Sequence, residues 1–187
     1  MSRFWGHLKT INHHRRLVCA GCFRLGLYWQ GLTHDLSKYS PTEFLPGVRF
    51  FQGNRSPNTA EREANGYSLA WMHHKGRNRH HFEYWSDISP VTRRYEPVEM
   101  PPRFLCEMVV DRIAACKTYQ GPAYTDRSPL EYLEKARESD LLNSVTMRQL
   151  HFLLTMLAEK GEAETFRFMR EVVLKRLPYM DTDAPAM

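Results

Sequence analysis

Residues 33–44 read THDLSKYSPTEF, from Thr33 to Phe44. The second half is a helix start. Ser40 suits an N-cap, Pro41 the first helical position, and Glu43 the third, where its carboxylate can reach back to the cap in a capping box. The first half closes a short helix, GLTHD from Gly31 to Asp35, with a histidine and an aspartate side by side. A helix end and a helix start thus lie within a dozen residues of each other.

The same 3.6-residue period continues outward. Upstream, a helix is predicted over about Thr10 to Leu25, with Gly26 as its C′ residue. His14, Leu17, Val18, Gly21 and Leu25 share one face of it, so His14 points inward in preference to His13. Downstream, Gly53 to Pro57 reads as a loop. Asn58 and Glu61 are expected to cap a helix running to about His74, with Ala60, Ala64, Tyr67, Trp71 and His74 as its inward stripe. Lys75-Gly76-Arg77-Asn78 should break that helix. Residues 86–102 carry Pro90, Pro97, Pro101 and Pro102 and read as a loop. An apolar helix is predicted over about Arg103 to Tyr119, and on it Phe104, Met108, Asp111 and Ala115 line up. A carboxylate on an apolar stripe must be paired, protonated or bound to a cation. Further helices are expected over about 128–177, broken at Gly161 and forming a C-terminal hairpin. The final DTDAPAM is expected to fray.

The chain has 187 residues, 42% hydrophobic and 25% charged, which fits one soluble all-α domain over 1–187 with its core at about 10–120. No run approaches a membrane span, and the start has no apolar signal core, so a cytoplasmic protein is expected. Cys19 and Cys22 form a CxxC without a second one; with Cys106 and Cys116 they read as small core residues in a reducing compartment. The net charge of +5 is compatible with nucleic acid or any phosphorylated ligand, but no long basic run favours the former.

The inward metal-ligand types are His14, His34, Asp35, His74, His81 and Asp111. They come from separate segments, and imidazole with carboxylate suits divalent zinc, manganese, iron, cobalt or nickel, as one ion or two. Residues 71–81 read WMHHKGRNRHH and hold four of the nine histidines. His74 and His81 are the candidate ligands there. His73 and His80 are expected behind them or at the surface. Lys75, Arg77 and Arg79 would form a cationic rim for an anionic substrate.

The order His14, His34-Asp35, Asp111 resembles the HD-domain superfamily of metal-dependent phosphohydrolases. HDLSK is similar to that superfamily's HD-x-G-K, with Ser37 in place of glycine, and VVDRIAA to its final-aspartate helix. More closely, HDLSKYSPTEF, AWMHHKGRNRHHFEYW and MPPRFLCEMVVDR resemble an uncharacterised bacterial family, domain of unknown function 5662, over about residues 10–175. The resemblance implies a compact HD-like helical bundle. It implies a first ion on His14, His34, Asp35 and Asp111, and a second involving His74 and His81. Asp35 and Lys38 would be catalytic, with Lys38 facing the substrate anion. The two histidine pairs lie only seven residues apart, which leaves open whether both reach the ions. The implied reaction is hydrolysis of a nucleotide or another small phosphate ester by metal-activated water. The alternatives are an HD-type diiron oxygenase and a non-catalytic metal- or nucleic-acid-binding module.

Overall fold

The helix opened by Ser40 and Pro41 is present, and three longer helices carry most of the core. The structure, a computed structural model, describes residues 2–135 and 141–180. In chain order the helices are α1 (Arg3–Arg24), α2 (Tyr28–Thr33), α3 (Pro41–Arg49), α4 (Pro57–Asn65), α5 (Leu69–Lys75), α6 (Pro102–Gln120), α7 (Ser128–Lys135) and α8 (Ser144–Phe168). The chain is all-α apart from one small antiparallel ribbon, β1 (Ser86–Ile88) with β2 (Tyr95–Pro97), in which Asp87 faces Glu96. The proline-rich stretch expected to be loop thus contains a hairpin. Its single strand proline, Pro97, sits at a strand end of a two-stranded edge, where no ladder donor is needed.

Helix α6 is the central element. Leu105, Cys106, Glu107, Met108, Val109 and Val110 are consecutive and all buried, as expected of a helix packed on every side. One side, Leu105, Val109 and Ile113, joins Val18 and Cys22 of α1 and Leu150, Leu153, Leu154 and Leu157 of α8 in the main core. Each fully buried leucine there contributes about 1.5–3 kcal/mol. At 100° per residue, Glu107 and Asp111 lie on the other side of α6, one turn apart. The core therefore fixes which way these carboxylates face. α1 packs along α6 and also holds α2 and α3.

Several local expectations shift. α1 starts at Arg3, capped by Ser2, well before Thr10. Its predicted face is right: His14, Val18, Gly21 and Leu25 are buried. The single helix predicted up to His74 is two, because Gly66 (φ 82°) ends α4 and Ser68 caps α5 through its side chain. Ala64 and Tyr67 are consequently exposed, and Glu61, no longer a cap residue, accepts a hydrogen bond from Ser68 Oγ. The chain does break at Gly161 (φ 78°), inside α8, after which it runs through a π-helical turn, Met169–Val173. All four cysteines are free. The expectation of fraying at 181–187 lies outside the described residues. No helix among the described residues is long and apolar enough to cross a membrane.

Candidate metal centre

The His34-Asp35 dipeptide sits where α2 stops. His34 leaves helical geometry (φ −49°, ψ 127°), and Asp35 takes the left-handed region (φ 55°, ψ 24°) before a 3₁₀ turn, Leu36–Tyr39. Aspartate tolerates that conformation better than most residues. The turn is pinned from α1. Arg15 donates through Nε to the His34 carbonyl (2.8 Å), through one terminal nitrogen to the Leu32 carbonyl (3.0 Å) and through the other to the Tyr39 hydroxyl (3.1 Å). The residue next to His14 thus ties the His-Asp turn to His14's own helix.

Asp35 is fully buried, and its two oxygens face different histidines. Oδ2 lies 3.3 Å from His34 Nε2 and 3.6 Å from His14 Nε2. Asp111 Oδ1 completes that group, 2.9 Å from His14 Nε2 and 3.4 Å from His34 Nε2. Oδ1 of Asp35 lies 3.2 Å from His74 Nε2 and 3.4 Å from His80 Nε2, and His81 joins these within 4.8 Å. Ligands held 2.0–2.2 Å from one ion stand about 3.3–3.6 Å apart along a tetrahedral edge. The His34 and His14 spacings to Asp35 Oδ2, His34 to Asp111 and His80 to Asp35 Oδ1 match that edge, while His14 to Asp111 and His74 to Asp35 are closer.

The atoms converge without satisfying one another. His14 Nε2, His34 Nε2, Asp35 Oδ1, His80 Nε2 and His81 Nε2 are buried and have no hydrogen-bond partner, while Asp35 Oδ2 meets the Lys38 ammonium at 2.6 Å. Leaving a buried polar group unsatisfied costs about 1–3 kcal/mol, and cations among these atoms would satisfy the five that lack a partner. The donor set fits divalent ions at two positions sharing Asp35.

Behind the imidazoles stand two further carboxylates. Glu107 Oε1 accepts from His34 Nδ1 (3.0 Å) and lies 3.3 Å from His80 Nδ1. Glu43 Oε1 accepts from His73 Nδ1 (2.6 Å) and Oε2 from His74 Nδ1 (2.8 Å). Burial would lower His34 and His74, but Asp35 raises both; with the Nδ1 proton held by the outer carboxylate, a cation would displace the Nε2 proton and take that lone pair. Burial would raise the Glu107 carboxyl, but hydrogen bonds from His34 and His80 hold it down at about 2. Glu43 is likewise raised by burial and brought below its usual range by His74 and His73. Burial, and then the neighbouring histidines, lower His80 and His81, keeping them neutral.

Glu43 is the clearest departure from the sequence reading. Ser40 does occupy the N-cap of α3 with Pro41 after it, but no side chain caps there, and Glu43 turns inward to the histidines instead. The capping pattern and the inward carboxylate have the same spelling. His80 also differs. It was expected behind the ligands, yet its Nε2 points to Asp35 Oδ1 and its ring lies 4.2 Å from that of His81. In this irregular turn neighbouring side chains need not diverge as they do on a helix or strand. His73 does stand back, partly exposed and held by Glu43.

Among the four cations expected near the site, Lys38 reaches it, 2.6 Å from Asp35 Oδ2 with its side chain 29% exposed. Arg77 is exposed and bonds its own helix at the His73 carbonyl (3.4 Å). Arg79 lies 5.7 Å and 5.9 Å from the Tyr84 and Phe104 rings. Lys75 is half-buried and, among the described ion pairs, joins none with Asp35 or Asp111. The expected rim is not assembled because Arg77 and Arg79 are exposed and turned outward, whereas Asn78 between them donates to Ser37 Oγ (2.9 Å) and the His74 carbonyl (2.8 Å) and His80 and His81 turn in. Glu107 and Arg15 went unread in the sequence; the signal for Glu107 was its position one turn before Asp111 on an apolar helix.

A direct test separates His80 from His73. His80→Ala is expected to lower metal affinity by more than the roughly 10-fold minimum for losing an outer partner, while His73→Ala leaves bound metal unchanged. Elemental analysis after dialysis against limiting metal reads both, and equal metal in the two variants would refute the assignment.

A profile of the family described as "Family of unknown function (DUF5662)" matches residues 3–156. No curated protein and no solved structure matches the chain.

Proposed function

The chain belongs to the DUF5662 family of unknown function, and from that premise we propose that it is a metal-dependent phosphohydrolase of the HD type, acting on a nucleotide or another small phosphate ester. The observation that carries this reading is the division of Asp35: one oxygen turned to His14, His34 and Asp111, the other to His74, His80 and His81. In this reading His14, His34, Asp35 and Asp111 would hold one ion, and Asp35, His74, His80 and His81 another. Bound zinc, manganese, iron, cobalt or nickel would supply Lewis acidity and lower the pKa of a water towards neutrality.

The chain's own residues do the rest. Asp35 spans the two positions and, fully buried, cannot be drawn off by solvent. Burial would raise its carboxyl, but His34 and Lys38 hold it well down, so it stays ionised. Asp111, 17% exposed at its side chain, and Lys38 mark the open edge of the cluster. The Lys38 ammonium, kept charged against burial by Asp35 and Asp111, is placed to meet the phosphoryl oxygens and offset the negative charge that grows there. In the reaction the water oxygen bonds to phosphorus, the ester P–O bond breaks, and the water's proton ends on the leaving alcohol. Free thiols support a reducing, cytoplasmic setting.

The test is a screen of nucleotides and other phosphate mono- and diesters with added manganese, cobalt, nickel or zinc. Release of phosphate or of the alcohol that disappears with a chelator is expected. Purified protein that carries iron, shows a visible charge-transfer band and consumes dioxygen would point instead to a diiron oxygenase. The histidine-rich second group is what keeps that reading open.

A further inference from the structure

Glu107 is in contact with both halves of the centre. Its Oε1 accepts a hydrogen bond from His34 Nδ1–H at 3.0 Å and lies 3.3 Å from Nδ1 of His80. The Nε2 atoms of those rings belong to different groups, His34's to the group with His14 and Asp111, His80's to the group with His74 and His81. The two rings lie 4.3 Å apart, tilted by 35°. Oε2 is occupied as well: Gln30 Nε2 donates to it at 2.6 Å. Gln30 is fastened in turn, its Oε1 accepting from Arg103 Nε (2.8 Å) and its Nε2 donating to the Arg103 carbonyl (3.1 Å). With both oxygens committed, Glu107 is held as an acceptor for imidazole N–H groups and is not free to swing into either ion position.

Glu43 differs. It meets His73 and His74, and of these only His74 has its Nε2 in the cluster, in the second group. We propose that Glu107 is a positioning residue shared by the two ion sites, orienting one ligand of each, whereas Glu43 serves the second site alone. The proposal rests on the dinuclear reading above.

Charge leads to the same division. Two divalent ions here would face four carboxylates, Asp35, Asp111, Glu107 and Glu43, with the Lys38 ammonium beside Asp35, so each outer acid would also offset the charge of the site it faces. One acid facing two sites affects both.

Glu107→Gln removes the charge and keeps the shape, but no orientation of an amide accepts from both histidines and from Gln30. Adding Gln30→Glu in the same chain restores an acceptor for the amide's N–H and keeps the one for Arg103 Nε, losing only the donor to the Arg103 carbonyl, so the double variant recovers the link between residues 30 and 107 should the single one fold poorly. The probe is Co²⁺ titrated into the metal-free full chain, followed by calorimetry and by visible absorption of the ion at each site. Wild type is expected to take two equivalents. Glu107→Gln should weaken both by about 10–100-fold and alter both absorption bands, with partial recovery in the double variant. Glu43→Gln should weaken one equivalent and leave the other at wild-type affinity. Loss of one equivalent only in Glu107→Gln, or wild-type binding of both, would overturn the shared role while leaving the two-ion centre standing. A wild-type chain that takes up no Co²⁺ would instead bring down the metal reading itself.

Discussion

Asp35→Asn is expected to abolish divalent-metal binding at both proposed positions while leaving the helical fold in place. Asparagine keeps the shape of the side chain and, like aspartate, tolerates the left-handed backbone found here (φ 55°). Alanine at the same position would add about 1–2 kcal/mol of backbone strain and confuse the result. What the amide loses is the charge and one of two acceptors. One oxygen can still face one group of imidazoles, but the other group then meets an N–H₂ that repels a cation. Metal affinity should therefore fall by more than the roughly 10–100-fold assigned to an outer carboxylate, with any phosphate-ester hydrolysis dropping to the metal-free background. Elemental analysis of dialysed protein, alongside circular dichroism to confirm the helices, reads the outcome. Wild-type metal content in the variant would show that Asp35 does not join the two groups.

Gly47→Ala is the second large effect, this time on stability. Gly47 and Glu43 form the buried face of α3. A Cβ on Gly47 would stand 2.1 Å from Nε2, 2.6 Å from Cε1 and 3.0 Å from Cδ2 of His7. The His7 ring is itself buried and sits between the rings of Phe44 (5.3 Å) and Phe51 (5.9 Å), so it has little room to retreat. Burial, then the nearby Lys38 charge, hold the imidazole near pKa 4, so it is packed as a neutral ring. Intrinsic helix propensity favours alanine over glycine by about 1 kcal/mol, whereas overpacking costs typically about 1–3 kcal/mol and more for a severe overlap. We expect the clash to win, with a net loss of about 2 kcal/mol and a fall in Tm of about 4–8 °C. His7→Ala in the same chain should recover part of that loss, because the two residues share one contact. A Tm for Gly47→Ala at or above wild type would refute this account. The effect should reach the centre too, since pushing α3 away from α1 moves Glu43 away from His74.

How far the sequence could be read depends on the distance over which each feature is set. Helical periodicity placed His14, Val18 and Gly21 on one buried face because a helix face follows from spacing alone. The same reasoning placed Asp111 correctly against apolar neighbours on α6. It failed where two roles share a spelling: Ser40-Pro41-Thr42-Glu43 is a sound helix start, and nothing local says that Glu43 will bond His73 and His74 instead of its own cap. It failed again in the turn after α5. There no period operates, and His80 was placed behind His81 although both rings face inward.

The sequence by itself determined an all-α chain and the residue types able to hold a cation, including the adjacent His34 and Asp35, since both follow from short-range pattern and side-chain chemistry. Only the tertiary structure decided which oxygen of Asp35 faces which histidines, that His80 turns in while His73 stays back, and that Glu107 reaches His34 across 73 residues of chain. Those outcomes depend on how α1, α3, α5 and α6 pack, and the direction of a buried side chain between packed helices is set by neighbours far away in the chain.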